Sequence, residues 1–296
     1  MDATVIPDLV RRLTMAVLML VHIQFAAFLI GIFTLGVSLE FLWVVGRGNP
    51  RLERLARGLA KTAVLLYGPG AVLAIIFVFV ILFMWPVFWL GLVQITFWPF
   101  VLEGITFVLT ILYLFPWYYT WDSLRRFPAV HVSLGLALAV VAQLQQAMID
   151  VVAGYMQTPT PPEDLLRLFF NPTAIPLDMH RLAGDISLAG FVIAAFAAWL
   201  MLRSRDDADR AYWDWVGHIG LVAGLGFLFI QPAVGLSYVE EIRANAAGSF
   251  SIMMRGRLSW VFLVQSFILS LLLFLGVYYM WLQLRKSGRR GTGTMR

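Results

Sequence analysis

Seven long apolar runs divide this chain, and they constrain its fold more than any other feature of the sequence. They lie at about 13–45, 61–84, 98–120, 129–154, 178–203, 212–236 and 257–284. Each run exceeds the roughly 20 residues that an α-helix needs to cross the hydrocarbon core of a bilayer. A helix also satisfies its own backbone hydrogen bonds in lipid. The sequence therefore predicts an all-α polytopic transmembrane bundle of about seven spans, forming a single domain over 1–296.

The distribution of basic residues predicts how the bundle is oriented. Arginine and lysine are concentrated in the loop after the first span, in the loop after the third span and in the tail at 285–296. These residues are Arg47, Arg51, Arg54, Arg57, Lys61, Arg125, Arg126, Arg285, Lys286, Arg289 and Arg290. Short cytoplasmic loops carry an excess of such residues. We therefore expect an inner (cytoplasmic) membrane protein with an outer N-terminus and a cytoplasmic C-terminus, although Arg11 and Arg12 count against this orientation. The net charge of +5 follows from the same loops and requires no nucleic-acid partner.

The chain contains no cysteine, which excludes several kinds of chemistry. Disulfides, a thiol nucleophile, iron–sulfur ligation and covalent haem attachment through CxxCH all require cysteine. Any haem in this chain would have to be held by histidine or methionine.

The stretch NPTAIPLDMHR, residues 171–181, leads from an outer loop into the fifth span and places His180 near its start. Ala183, Gly184 and Ser187 follow on the helical face that His180 shares. Small residues beside a ligand leave room for a flat porphyrin, but they are equally typical of ordinary helix packing. His180 is therefore a candidate haem ligand.

Other polar residues inside the spans indicate further functional positions, because ionisable groups in a membrane are costly and usually face the bundle interior. His22 and Glu40 lie on one face of the first span, five helical turns apart. Glu103 lies at a depth similar to that of His22. The fourth span presents Gln143, Gln146 and Asp150 on one face. From these residues we expect a proton path that includes Glu40, Gln146 and Asp150.

Two more histidines, His131 and His218, lie near the predicted cytoplasmic ends of their spans. Histidines at such positions are more often hydrogen-bonded structural residues, but a pair of them would be one way to bind a second haem on the inner side.

Several short motifs recur in the order and at the spacing of one known family. GYMQTP (154–159) ends the fourth span, and Asn171 and Pro172 precede His180, which is the ninth residue after Asn171. The first span has Arg12 ten residues before His22 and Glu40 eighteen after it. LEG (102–104) and WDSL (121–124) occur in the third span and at its end. Over 8–203 the chain resembles subunit I of the cytochrome bd quinol oxidases, with a more divergent part at 204–284.

The resemblance implies roles for individual residues. His22 corresponds to the axial ligand of a haem in the oxygen-reducing pair, and Glu103 to a carboxylate beside that pair. His180 corresponds to one axial ligand of the low-spin haem b that takes electrons from quinol. One or two b-type haems, with iron bound through His180 and His22, and a quinone or quinol as substrate are therefore expected.

The sequence departs from the family pattern at four places. In MMRGRLSW (253–260), Arg257 is followed two residues later by Ser259, where the family has a methionine ligand, so that Met253 or Met254 would have to take this role. Ile111 stands where the family has a second carboxylate. The family continues through two more helices, with a glutamate haem ligand and a GRQPW-like segment that this sequence lacks. Its long quinol-binding loop corresponds here to about 237–256, with Glu240, Glu241 and Arg243 as the candidate quinone residues.

These features predict a haem-b-binding electron-transfer subunit of a larger respiratory complex. It would exchange electrons between the quinone pool and an outer-face partner such as a cytochrome c, iron–sulfur or molybdenum subunit. One alternative is a bd-type quinol:oxygen oxidoreductase subunit whose missing ligands come from another chain. A second alternative is a haem-free transporter or scaffold that conducts protons or ions through its buried carboxylates and histidines.

Overall fold

The computed structural model describes residues 7–46, 48–161, 163–256 and 259–291, and within these ranges the chain is mostly helical and has no strand. The helices are α1 (Asp8–Val45), α2 (Pro50–Met84), α3 (Pro86–Ile95), α4 (Phe97–Tyr119), α5 (Pro128–Gln157), α6 (Leu165–Phe169), α7 (Ala174–Arg203), α8 (Asp207–Asn245), α9 (Ala247–Arg255) and α10 (Ser259–Gly291). Seven helices of the described part are long and apolar enough to cross a membrane. The predicted polytopic helical bundle is thus confirmed, while its orientation stays a prediction.

The helices extend beyond the apolar runs that predicted them, because polar turns continue the backbone hydrogen bonding outside the hydrocarbon core. At the start of α2, for example, the Asn49 side chain accepts a hydrogen bond from the backbone N–H of Arg51, and Pro50 occupies the first turn. For the same reason, the segment 237–256, where a quinol-binding loop was expected, is mostly helical. α8 continues to Asn245, and α9 follows it. Arg47 and Arg257 lie outside the described residues.

Small residues bring α7 and α8 into backbone contact. A Cβ atom added to Gly190 would lie 2.7 Å from the Gly220 carbonyl oxygen, and one added to Gly220 would lie 2.7 Å from the backbone nitrogen of Ala194. Gly31 of α1 makes an equally close approach to the backbone carbonyl of Asp185 in α7. Membrane helices associate tightly where such residues let the backbones meet. α7 is therefore fixed between α1 and α8.

The core of the bundle surrounds the C-terminal half of α1, which is the cytoplasmic half in the predicted orientation. α1 packs against α2, α5 and α7. Its Ile32 and Phe33 are buried together with Leu114 and Trp117 of α4 and Leu138 of α5. By contrast, the described part of α10 packs mainly against α8 and α9, and its apolar side chains are largely exposed to the surroundings of the bundle.

An ion pair joins the WDSL motif to α2 on the side predicted to be cytoplasmic. Arg57 donates hydrogen bonds to both carboxylate oxygens of Asp122, over 2.8 Å and 2.5 Å. These bonds favour the charged form and lower the pKa of the Asp122 carboxyl below its ordinary value. The pair is exposed, so its contribution to stability is small.

Candidate functional site

Asn171 fixes the segment that leads to His180. Its side-chain amide donates a 2.6 Å hydrogen bond to the Thr158 carbonyl oxygen at the end of α5. Its side-chain oxygen accepts hydrogen bonds from the backbone N–H and the hydroxyl of Thr173, at 3.0 Å and 2.8 Å. All three residues are buried. The Asn-Pro motif thus anchors the start of α7 to the end of α5, which sets the position of His180 two turns into the helix.

The His180 ring lies between α7 and α8. Tyr238 stacks on it with the ring centroids 6.1 Å apart, and Gly235 lies beside it, so that an added Cβ would come within 3.3 Å of the imidazole. Gln157 of α5 holds Tyr238 in place, since the Tyr238 hydroxyl donates to the Gln157 side-chain oxygen over 2.9 Å. The Nδ1 atom of His180 is buried and has no hydrogen-bond partner among the described residues. The ring is therefore positioned by packing and its nitrogens remain available.

His22 is placed in a similar way on α1. Its ring stacks on Phe77 of α2 with a centroid separation of 6.1 Å, and its Nδ1 is buried without a partner among the described residues. Arg181, the residue after His180, is close enough to interact electrostatically with His22. The two predicted ligands thus belong to one region, where α1 and α7 pack together.

Both histidines fit the requirements of a haem ligand. An iron ligand needs a neutral imidazole with a free nitrogen, and neither ring is hydrogen-bonded to a described residue. Ala183 is buried, and a Cβ added to Gly184 would come within 2.6 Å of the Gln231 side chain on α8, so the predicted space beside His180 stays a prediction. The structure adds Gly235 of α8 to these small residues.

His131 differs from them, because both of its ring nitrogens are engaged. Its Nδ1 lies 2.5 Å from a carboxylate oxygen of Glu40, and its Nε2 donates to the Trp117 carbonyl oxygen over 2.8 Å. The Trp117 indole N–H donates to the other Glu40 oxygen over 2.7 Å. Glu40 is 0% exposed. The structure therefore gives His131 a buried structural partner, and His218 is exposed on α8, which leaves little support for a haem between them.

A second buried network joins α5 to α7. It consists of Gln143, Gln146 and Asp150 on α5 and of Asp178, Arg181 and Asp185 on α7, which we call the α5–α7 polar cluster. Gln143 donates to Asp178 over 2.9 Å, and Arg181 forms an ion pair with Asp150. The polar wall predicted on α5 is thus confirmed as an interior surface. Sequence reasoning missed its three partners on α7, although both groups have the same spacing of three and then four residues, which could have identified them.

Comparison with known proteins shows to which family the chain belongs. The sequence profile of the cytochrome bd terminal oxidase subunit I matches residues 10–254 of the chain. The chain belongs to the cytochrome bd terminal oxidase subunit I family. The matched range contains every helix that carries the candidate haem residues, and the predicted resemblance and the assignment to the cytoplasmic membrane are confirmed by it.

A solved structure supports the fold. The bd oxidase from Geobacillus thermodenitrificans superposes with a TM-score of 0.70 over 79% of this chain, at 21% sequence identity. The match covers 55% of that longer chain, so this chain spans about half of its length. None of the individually curated sequences matches significantly. The structural likeness therefore establishes the architecture of the bundle.

The other candidate haem residues, Met253, Met254 and Glu103, are less closely associated with His22 and His180. Met253 and Met254 lie on α9, which is separate from α10, so a displaced start of the last span does not bring either methionine into that span. α9 packs against α8 and α10. Glu103 accepts a 3.2 Å hydrogen bond from Gln145, and no direct bond links it to His22 within the described ranges. The methionine and glutamate roles stay predictions.

The three candidate quinone residues occupy the end of α8 instead of a loop. Arg243 donates a 2.8 Å hydrogen bond to Glu240, and Asn245 donates one of 2.9 Å to Glu241. Glu240 and Arg243 are exposed. They share α8 with Tyr238, which packs on His180, so helix geometry places them within two turns of the residue that contacts this ligand candidate.

Proposed function

We propose that this chain is the haem-binding membrane subunit of a bd-type quinol oxidase complex. One observation carries the proposal. His22 and His180, on two helices that pack together, each keep a buried ring nitrogen without a partner in the described part of the chain. A buried polar group of this kind is costly unless a ligand satisfies the ring. The family to which the chain belongs supports the same conclusion.

In this proposal His180 and His22 each hold the iron of a b-type haem. A bound haem supplies one-electron exchange, and the protein sets its potential through ligation, hydrogen bonding and burial. Tyr238 and Phe77 keep the two imidazole rings in fixed orientations by stacking on them. Asn171 holds the beginning of α7, and with it His180, against α5.

Quinol is the proposed electron donor, and the exposed end of α8 is its proposed site. Oxidation of a quinol releases protons as well as electrons, so groups that can accept protons must lie near it. Glu240 and Glu241 are such groups, and Arg243 supplies a positive charge next to them. Helix geometry places all three residues within two turns of Tyr238, which stacks on His180.

The complete reaction requires groups beyond the described residues. Ile111 of α4 cannot transfer protons, so Glu103 is the carboxylate that α4 offers for proton transfer. We propose that another membrane subunit supplies the missing ligands. α10 supports such an arrangement, because its exposed apolar side chains can face either lipid or a partner helix. Nothing in the described residues favours a cytochrome c, iron–sulfur or molybdenum partner on the outer face, and that part of the expectation stays a prediction.

Quinol-driven oxygen uptake by the complex purified with its natural partners tests this function. We expect His22→Ala to abolish oxygen uptake, and the exposed His218→Ala to leave it unchanged as the matched control. Oxygen uptake that survives in His22→Ala, or a complete complex that oxidises quinol without consuming oxygen, would overturn the proposed oxidase function.

A further inference from the structure

The α5–α7 polar cluster contains more negative groups than positive ones. Its described charged members are the carboxyl groups of Asp150, Asp178 and Asp185 and the guanidinium group of Arg181. Asp150 is 0% exposed and forms the ion pair with Arg181. One carboxylate therefore balances the cation, and the other two acidic groups have no ion-pair partner among the described residues.

Asp185 is the more deeply buried of these two groups. Asp185 is 4% exposed, and its Oδ2 atom has no hydrogen-bond partner among the described residues. Asp178 is only half-buried and accepts a hydrogen bond from Gln143. An isolated carboxylate costs several kcal/mol in such an environment, and it normally becomes neutral by taking up a proton.

A separate observation points to a bound species at the same place. Gln146 is also 4% exposed and faces Asp185 and Asp178 from α5. Neither its side-chain oxygen nor its side-chain nitrogen has a hydrogen-bond partner in the described part of the chain. An amide in this state can accept a hydrogen bond from a protonated carboxyl and donate one to a neighbouring oxygen. The cluster is thus built to receive a proton on Asp185.

The surrounding helices provide no second cation for Asp185. From its own helix it faces Arg181 and Asp178, and from α5 it faces Gln146. α1 approaches its backbone at Gly31, and the titratable group that α1 contributes nearby is His22, which lies toward Arg181. α8 contributes Tyr238, which also lies near Arg181. Arg181 is the one cation among these groups, and it is already paired with Asp150.

We propose that the α5–α7 polar cluster is a proton-binding site and that Asp185 is the group that holds the proton. The proton comes from water or from a substrate hydroxyl and binds a carboxylate oxygen, so that the carboxyl becomes neutral while the Arg181–Asp150 pair stays charged. A metal cation is the less favoured occupant. Arg181 already places a positive charge in the cluster, and no group of metal ligands of suitable geometry occurs among the described residues.

Infrared spectroscopy of the full-length protein in lipid nanodiscs tests the proposal without any requirement for haem. Aspartate labelled with carbon-13 at the side-chain carboxyl identifies the relevant carbonyl bands. At neutral pH we expect the band of a protonated aspartic acid that shifts in heavy water. The band is lost in Asp185→Asn and kept in Asp122→Asn, because Asp122 is exposed and ionised beside Arg57.

The Asp185→Asn variant should fold, since an amide of the same size replaces a neutral carboxyl. If it does not insert, Asp185→Glu provides the second measurement, because the labelled aspartate band must then disappear and an unlabelled glutamic acid band must replace it. A labelled band that persists in either variant overturns the proposal. A band that disappears when sodium replaces a bulky organic cation in the buffer also overturns it, since the site would then bind a metal cation.

Discussion

Replacement of Glu40 should separate the contribution of its hydrogen bonds from that of its charge. The His131 Nε2 donates to the Trp117 carbonyl oxygen, and its Nδ1 lies against Glu40. Glutamine at this position can donate its amide N–H to Nδ1 and accept the Trp117 indole N–H, and Glu40→Gln should therefore cost about 1 kcal/mol. Glu40→Leu leaves two buried polar groups unpartnered, at ~1–3 kcal/mol each. The expected total loss is therefore ~2–6 kcal/mol.

The free energy of unfolding is measured from helical circular dichroism during unfolding by sodium dodecyl sulfate in mixed micelles. Glu163→Leu in the exposed loop before α6 serves as the matched control and should change stability by less than about 0.5 kcal/mol. If Glu40→Leu and Glu40→Gln have the same free energy of unfolding within about 1 kcal/mol, the hydrogen bonds of Glu40 do not stabilise the bundle and the reasoning is refuted.

Three further substitutions test other parts of the structure. Gly220→Leu should lower the free energy of unfolding by at least about 1–3 kcal/mol, because it separates α7 from α8, whereas Gly226→Leu, which meets no atom within 4 Å, should be nearly neutral in the same unfolding assay. Asn171→Ala should destabilise the start of α7 and increase backbone hydrogen exchange there, and unchanged exchange would contradict its anchoring role. The pKa of Asp122 is lowered in the folded protein, so its contribution to stability is present above the ordinary carboxyl pKa of about 4 and is lost as the pH falls. Asp122→Asn should therefore weaken the acid dependence of the unfolding midpoint, and an unaltered acid dependence would count against the Arg57 pair.

Hydropathy was sufficient to predict the number and class of the spans, because the bilayer fixes a minimum length for each apolar run. It could not predict where the helices end. α8 continues through Glu240 and Arg243 to Asn245, since turns beyond the hydrocarbon core are stabilised by local ion pairs and not by apolar side chains. The segment 237–256, which was expected to be a quinol-binding loop, is consequently mostly helical.

The candidate site was only partly predictable. Motif spacing selected His22 and His180, and the polar stripe on α5 was recognised from its periodicity. The partners of that stripe on α7 were not recognised, because they depend on how two helices distant in sequence face one another. The same holds for the contact between His131 and Glu40, which are 91 residues apart. Periodicity predicts which residues share a face, but it does not predict which faces meet.

The visible spectrum of the purified protein, recorded oxidised and reduced, tests the central claim most directly. The account predicts the Soret and α bands of b-type haem. Part of this spectrum should be lost in His180→Ala, a separate part in His22→Ala, and none in His218→Ala, in which the replaced histidine is exposed. A purified protein without haem bands, or a His180→Ala variant with the complete spectrum, would contradict the claim.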